Sequence, residues 1–165
     1  RSKEHAILVG TNTVLADNPK LNVRSWFGKS PVRIVLDRTL RIPESASILD
    51  GSIKTIVLTE KSDQENEVKK KKQEVKDNLI FEQIDFSEKL AIQICAVLYK
   101  HNIQSLIIEG GTQILQTFIN DNFWDEALVF VGDSTFKDGI KSPEIKKKYA
   151  QEYIKNDVLK RYTND

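Results

Sequence analysis

Apolar residues along this chain gather into short runs set between polar and charged stretches. "HAILVG" at 5–10, "VRIVLD" at 32–37, "KTIVLTE" at 54–60, "LIFEQIDF" at 79–86, "SLIIEGG" at 105–111 and "EALVFVG" at 126–132 each have strand length and β-rich composition. Two segments between or after them switch to helical spacing. In "SEKLAIQICAVLYKHN" Leu90, Ile94 and Leu98 share one face, with Ser87 as the predicted N-cap and Asn102 as a left-handed ending. After the fifth run, Ile114, Leu115, Phe118 and Ile119 keep the three-and-four spacing of an amphipathic helix.

Strands alternating with helices predict an α/β fold with substantial parallel pairing and helices on the sheet faces. The last third breaks that rhythm. A glycine-containing loop, "GDSTFKDGIKSP", follows the sixth run, and "NDVLKRYT" is predicted to return as an antiparallel edge strand, which makes the sheet mixed. The run "KSDQENEVKKKKQEVKDN" at 61–78 intersperses acids among its lysines and contains no aromatic residue, so it predicts a solvated helix or loop rather than a nucleic-acid surface.

A length of 165 residues suits one domain around one core. With 25 Lys and Arg against 24 Asp and Glu, the net charge of +1 leaves no footprint for nucleic acid or an anionic membrane. No apolar run approaches the roughly 20 residues that span a bilayer, and no signal-peptide pattern is present, so the expected location is the cytoplasm. Cys95 lies in "IQICAVL" and reads as a small buried hydrophobe; His5 and His101 stand in no metal-ligand spacing, and no metal centre is expected. The sequence starts with Arg1 and contains no methionine, which raises the expectation of a piece of a longer chain.

Two loops carry candidate chemistry. In "IIEGGTQILQTF" a glycine pair joins a strand to a helix, where free N–H groups of the helix start suit a phosphate and Gly110 and Gly111 admit close approach. A plain turn with Thr112 as N-cap fits the same residues. Glu109, ending the strand, either accepts hydrogen bonds from a polar ligand or is simply solvated. In "VGTNTVLADNPKLNVR" Thr13 and Asp17 share a face if 12–17 is helical, and Pro19 limits that helix to a turn or two. Leu21 and Arg24 then follow, and a guanidinium fork suits a phosphate. The structural alternative has Asp17 capping a turn and Arg24 in solvent.

The stretches "AILVGTNTVLADNPKLNVR", "PVRIVLDRTLRIP" and "LIIEGGTQILQTFI" resemble the reductase domain of bacterial bifunctional riboflavin-biosynthesis deaminase/reductase proteins. The resemblance implies a dihydrofolate-reductase-like fold, a mixed sheet flanked by helices, and a homodimer. It implies NADPH-dependent reduction of the ribosyl group of 5-amino-6-(5-phosphoribosylamino)uracil to ribityl. Carried over by position, Thr13, Asp17 and the segment Gly111, Thr112, Gln113, Ile114, Leu115, Gln116 and Thr117 are cofactor contacts. Arg1, Leu21, Arg24 and Glu109 are contacts to the phosphorylated ribosylaminopyrimidine substrate. Arg38 is the candidate for the adenosine 2′-phosphate, with Arg41 competing; no catalytic acid is assigned. Domains of this kind start earlier, with a further strand and helix and commonly a deaminase domain before them, so the expectation is a partial domain that does not turn over. The rival readings are another reductase of the same fold, or a non-catalytic nucleotide-binding or dimerisation remnant.

Overall fold

A computed structural model of the chain describes residues 1–60, 77–135 and 137–164. Five strands, β1 (Ala6–Gly10), β2 (Val32–Leu36), β3 (Thr55–Glu60), β4 (Leu79–Ile84) and β5 (Leu106–Ile108), form a sheet in the order β4-β3-β2-β1-β5. Every neighbouring pair in it is parallel. Around it lie α1 (Thr11–Asp17), a 3-10 turn (Ser47–Leu49), α2 (Leu90–Lys100) and α3 (Thr112–Asn120). The charged run predicted at 61–78 falls, up to residue 76, outside the described residues.

The pleat sorts alternate side chains to opposite faces. Ala6, Leu8, Ile34, Leu36, Ile56 and Leu58 pack on one face with Ile94, Leu98 and Phe118 of the helices, while Ile7, Val9 and Val35 pack on the other with Val14, Leu21, Ile42 and Ile48. Burial on both faces explains why these strands read as continuous apolar runs. Burial also raises the pKa of the Cys95 thiol, which packs half-buried against the first cluster.

The remaining strands, β6 (Glu126–Val131), β7 (Tyr149–Ile154) and β8 (Asp157–Thr163), form a three-stranded antiparallel sheet in the order β6-β8-β7. The parallel and antiparallel parts of the expected mixture thus lie in two hydrogen-bonded sheets. "NDVLKRYT" is a central strand and not an edge, because "YAQEYI", which shows no apolar alternation, pairs with it through a tight turn at Lys155, φ +57°. The N-cap is also corrected. α2 starts at Leu90 with Lys89 at the cap, since the Asp85 carboxylate accepts both the N–H and the hydroxyl of Ser87 and closes a local turn first. At its other end Asn102 is left-handed, φ +57°, as predicted.

Candidate functional site

β1 and β5 run side by side in parallel, so the segments leaving them open at one edge of the sheet. The Glu109 N–H donates to Leu8 O at 3.1 Å, carrying the ladder one residue beyond β5. α1 follows Gly10 directly and α3 follows Gly111. The two helix starts touch: a Cβ on Gly10 would stand 2.8 Å from Ile114 Cδ1.

Gly110 and Gly111 have φ of +89° and +79°, where a side chain is strained. A Cβ on Gly110 would also lie 3.4 Å from both Cγ2 and Oγ1 of Thr13. Thr13 and the glycine pair therefore form one cradle. Gly111 caps α3 with no side-chain hydrogen bond, and its carbonyl accepts the N–H groups of Ile114 at 3.0 Å and Leu115 at 3.1 Å, so the donors at the very start of the helix are those of Thr112 and Gln113. Those donors, the missing Cβ atoms and the Thr13 hydroxyl make a cradle whose chemistry suits an anionic group.

The side chains of 111–117 do other work. The Thr112 hydroxyl donates to Lys141 O at 2.9 Å, Gln116 exchanges hydrogen bonds with the Glu144 backbone, and the Thr117 hydroxyl donates to Gln113 O. Ile114 packs against the core, Leu115 is half-buried and Gln113 is exposed. What this segment offers a ligand is backbone. Asp17 is exposed at the end of α1, on the same helical face as Thr13. Asn18 caps that helix in the left-handed region, which keeps it to the short turn that Pro19 demanded.

Glu109 reaches away from the cradle. Its carboxylate accepts from Arg1 Nε at 2.9 and 3.1 Å and also from Nη2, and this bonding raises the pKa of the Arg1 guanidinium. Arg1 in turn lines a cleft of about 350 Å³ with Ser2, Asn22, Val23, Arg24 and Trp26. Leu21 anchors the loop from below: its backbone is left-handed, φ +50°, and its side chain is 3% exposed within the second core cluster. Gly28, at φ +131°, seats the other end, where a Cβ would come within 2.8 Å of Ser2 Cβ. Of the four residues expected to meet substrate, Arg1 and Arg24 line the cleft, Glu109 holds Arg1, and Leu21 lies in the core beneath. The cleft and the cradle adjoin through consecutive residues, Glu109 and Gly110.

Residues 1–136 match the RibD C-terminal domain. The chain belongs to that family. The riboflavin biosynthesis protein RibD of Aquifex aeolicus is 32% identical over 157 residues, covering 94% of this chain and 42% of that protein. The 2,5-diamino-6-ribosylamino-4(3H)-pyrimidinone 5′-phosphate reductase of Archaeoglobus fulgidus is 31% identical, over 88% of this chain and 68% of its own. The crystal structure of a Thermotoga maritima diaminohydroxyphosphoribosylaminopyrimidine deaminase/5-amino-6-(5-phosphoribosylamino)uracil reductase superposes with a TM-score of 0.79 at 24% identity, over 99% of this chain and 46% of that one, a likeness of fold. The chain spans less than half the length of the Aquifex and Thermotoga proteins.

Elsewhere along the same edge of this RibD-type domain, Arg38 is engaged within the protein. Its guanidinium forks onto Glu60, with Nε to Oε2 at 2.8 Å and Nη2 to Oε1 at 2.6 Å, and lies over the Phe86 ring. A 2′-phosphate would have to draw it from Glu60. Arg41 is exposed, and its N–H donates to Asp37. Asp37 escaped the sequence reading. It is 2% exposed and accepts the N–H groups of Arg41 and Ile42, each at 2.9 Å, so it shapes the loop after β2. Asn22 and Trp26 were also missed, although an aromatic residue beside Arg24 in a polar, glycine-ended loop was a visible signal. His101 pairs with Glu82 at 2.7 Å and His5 accepts from Gln104 N–H, so each is placed by a structural bond.

Proposed function

We propose that this chain carries the reductase chemistry of riboflavin biosynthesis, converting the ribosyl group of 5-amino-6-(5-phosphoribosylamino)uracil to ribityl with NADPH. The observation that carries this reading is the junction at Glu109–Gly110, which sets an arginine-lined cleft beside a glycine–threonine cradle at a helix start. The relatives' names support it, and so does family membership. When bound, the nicotinamide supplies a hydride to the sugar C1, which is electrophilic as the ring-opened imine; the nitrogen takes a proton.

In this reading the chain's own residues bind and orient. Arg24 and Arg1 meet the phosphate, where a planar fork gives paired charge-assisted bonds. Glu109, once shared between Arg1 and ligand, accepts from a sugar hydroxyl or ring amine. Thr13 and the first-turn N–H groups of α3 hold the cofactor's phosphates, with Asp17 at the far end of the same helix face and Arg38 or Arg41 at the adenosine end. Catalysis then rests on holding C1 against the hydride donor, since a misplacement of about 1 Å costs on the order of a hundredfold. No side chain is assigned as acid.

A second pyrimidine, carrying an amine in place of one ring carbonyl, is named for the Archaeoglobus relative. The deciding experiment follows nicotinamide absorbance with each of the two substrates in turn. Oxidation of NADPH only when a phosphoribosylaminopyrimidine is present supports the reading, and the faster of the two identifies the ring. No binding of either substrate or of NADPH overturns it. We further propose a cytoplasmic homodimer, supported by Leu128 and Phe130 of β6, which are 49% and 63% exposed; light scattering at a monomer mass would reject the dimer.

A further inference from the structure

Trp26 stands on the rim of the arginine-lined cleft with 77% of its surface exposed. A large aromatic ring left open beside two guanidinium groups is costly to solvate and suits a flat ligand face. The loop that carries it is not slack. Leu21 is buried at one end, the Val23 N–H donates to Ser30 Oγ at 3.2 Å, and Gly28 presses on Ser2 at the other. Asn22 lines the same cleft, and its side-chain oxygen is buried with no hydrogen-bond partner. Turning that carboxamide toward the cleft therefore breaks no bond made by its oxygen, while an N–H of a ligand would satisfy it. Arg1 and Arg24 supply charge for a phosphate, but a phosphate alone needs neither a flat apolar face nor an amide.

We infer that Trp26 and Asn22 recognise the heterocycle of the ligand, Trp26 by stacking on the ring and Asn22 by hydrogen-bonding its polar edge. This rests on the proposed phosphoribosylaminopyrimidine reading and adds to it which residues select the ring. It makes the cleft bipartite, with arginines for the phosphate and the Asn22–Trp26 side for the base.

The test uses tryptophan emission in Trp124→Phe protein, so that Trp26 is the sole reporter. Ribose 5-phosphate and 5-amino-6-(5-phosphoribosylamino)uracil are titrated separately. The ring-bearing ligand is expected to quench Trp26 and ribose 5-phosphate to leave it unchanged, with binding of each confirmed by calorimetry. Calorimetry of Trp26→Ala should show the ring-bearing ligand weakened by about tenfold and ribose 5-phosphate unaffected, because base stacking on an aromatic is lost. Trp26→Phe should recover most of the affinity. Asn22→Ala should weaken only the ring-bearing ligand. Equal loss for both ligands, or no loss for either, overturns the inference while leaving the phosphate reading intact. Failure of the unsubstituted protein to bind either ligand overturns both.

Discussion

The five-stranded and three-stranded sheets bury their side chains to opposite degrees. Every residue of β1 is buried, whereas every residue of β7 is exposed, and β6 shows Leu128, Phe130 and Val131 to solvent. The difference follows from what covers each face. Helices and loops clothe both sides of the parallel sheet, so its strands are a floor for the site: the cradle is built at the ends of the neighbouring strands β1 and β5, and the cleft is tied to them through the Arg1–Glu109 pair. Within the smaller sheet only Leu159 and Tyr162 are buried, both on the central strand β8. Catalytic positioning needs the first kind of support; a surface available to a partner is of the second kind.

The largest effects should come from the floor. Leu8→Ala removes a fully buried side chain and is expected to cost about 2–5 kcal/mol in urea unfolding, against less than about 1 kcal/mol for the half-exposed Leu128→Ala. Equal losses would dissolve the contrast. Asp37→Ala comes next, because it leaves two N–H groups behind β2 without their acceptor, at about 1–3 kcal/mol for a buried one. A shift of less than a few tenths would mean that loop is held by something else.

These contrasts also mark how far the sequence could be read. "AILVG", "RIVL" and "TIVL" announce themselves because strands buried on both faces must be apolar throughout. β7 does not, since Gln151, Glu152 and Tyr153 are set by pairing with β8 and not by burial. Ser87 is drawn off the cap by Asp85, which takes its N–H and hydroxyl into a local turn and leaves Lys89 at the cap, a competition that sequence cannot rank. In the site, Thr13 and the glycine pair were legible as separate loops, but their contact arises from the β1–β5 pairing of distant segments. Leu21 illustrates the reverse. The resemblance makes it a substrate contact, whereas in the fold its backbone is left-handed and its side chain lies in the core.

The smallest expected effect is a pH dependence of stability. Burial works to raise the Asp50 pKa, but hydrogen bonds from Ser52 and buried Arg33 of β2 outweigh it and lower it to about 2. A depressed carboxyl stabilises the fold above its unfolded pKa of about 3.9 and loses that contribution as pH falls toward 2. The stability gap between the unsubstituted protein and Asp50→Asn should therefore shrink between roughly pH 4 and pH 2, modestly, since Asp50 is partly exposed. A gap constant across that window would show that the ionised carboxylate contributes nothing to holding Arg33.

The proposed function stands on two adjoining subsites that meet at Glu109–Gly110. Calorimetric titration of NADPH and of 5-amino-6-(5-phosphoribosylamino)uracil into Gly110→Ala and Arg24→Ala tests it most directly. Gly110→Ala, strained at φ +89° and crowding Thr13, is expected to weaken NADPH by about tenfold and leave the pyrimidine within about twofold. Arg24→Ala should do the converse, by about tenfold or more, through loss of a charge-assisted phosphate contact. Equal weakening of both ligands by either substitution, or an unchanged NADPH affinity in Gly110→Ala, would contradict the division.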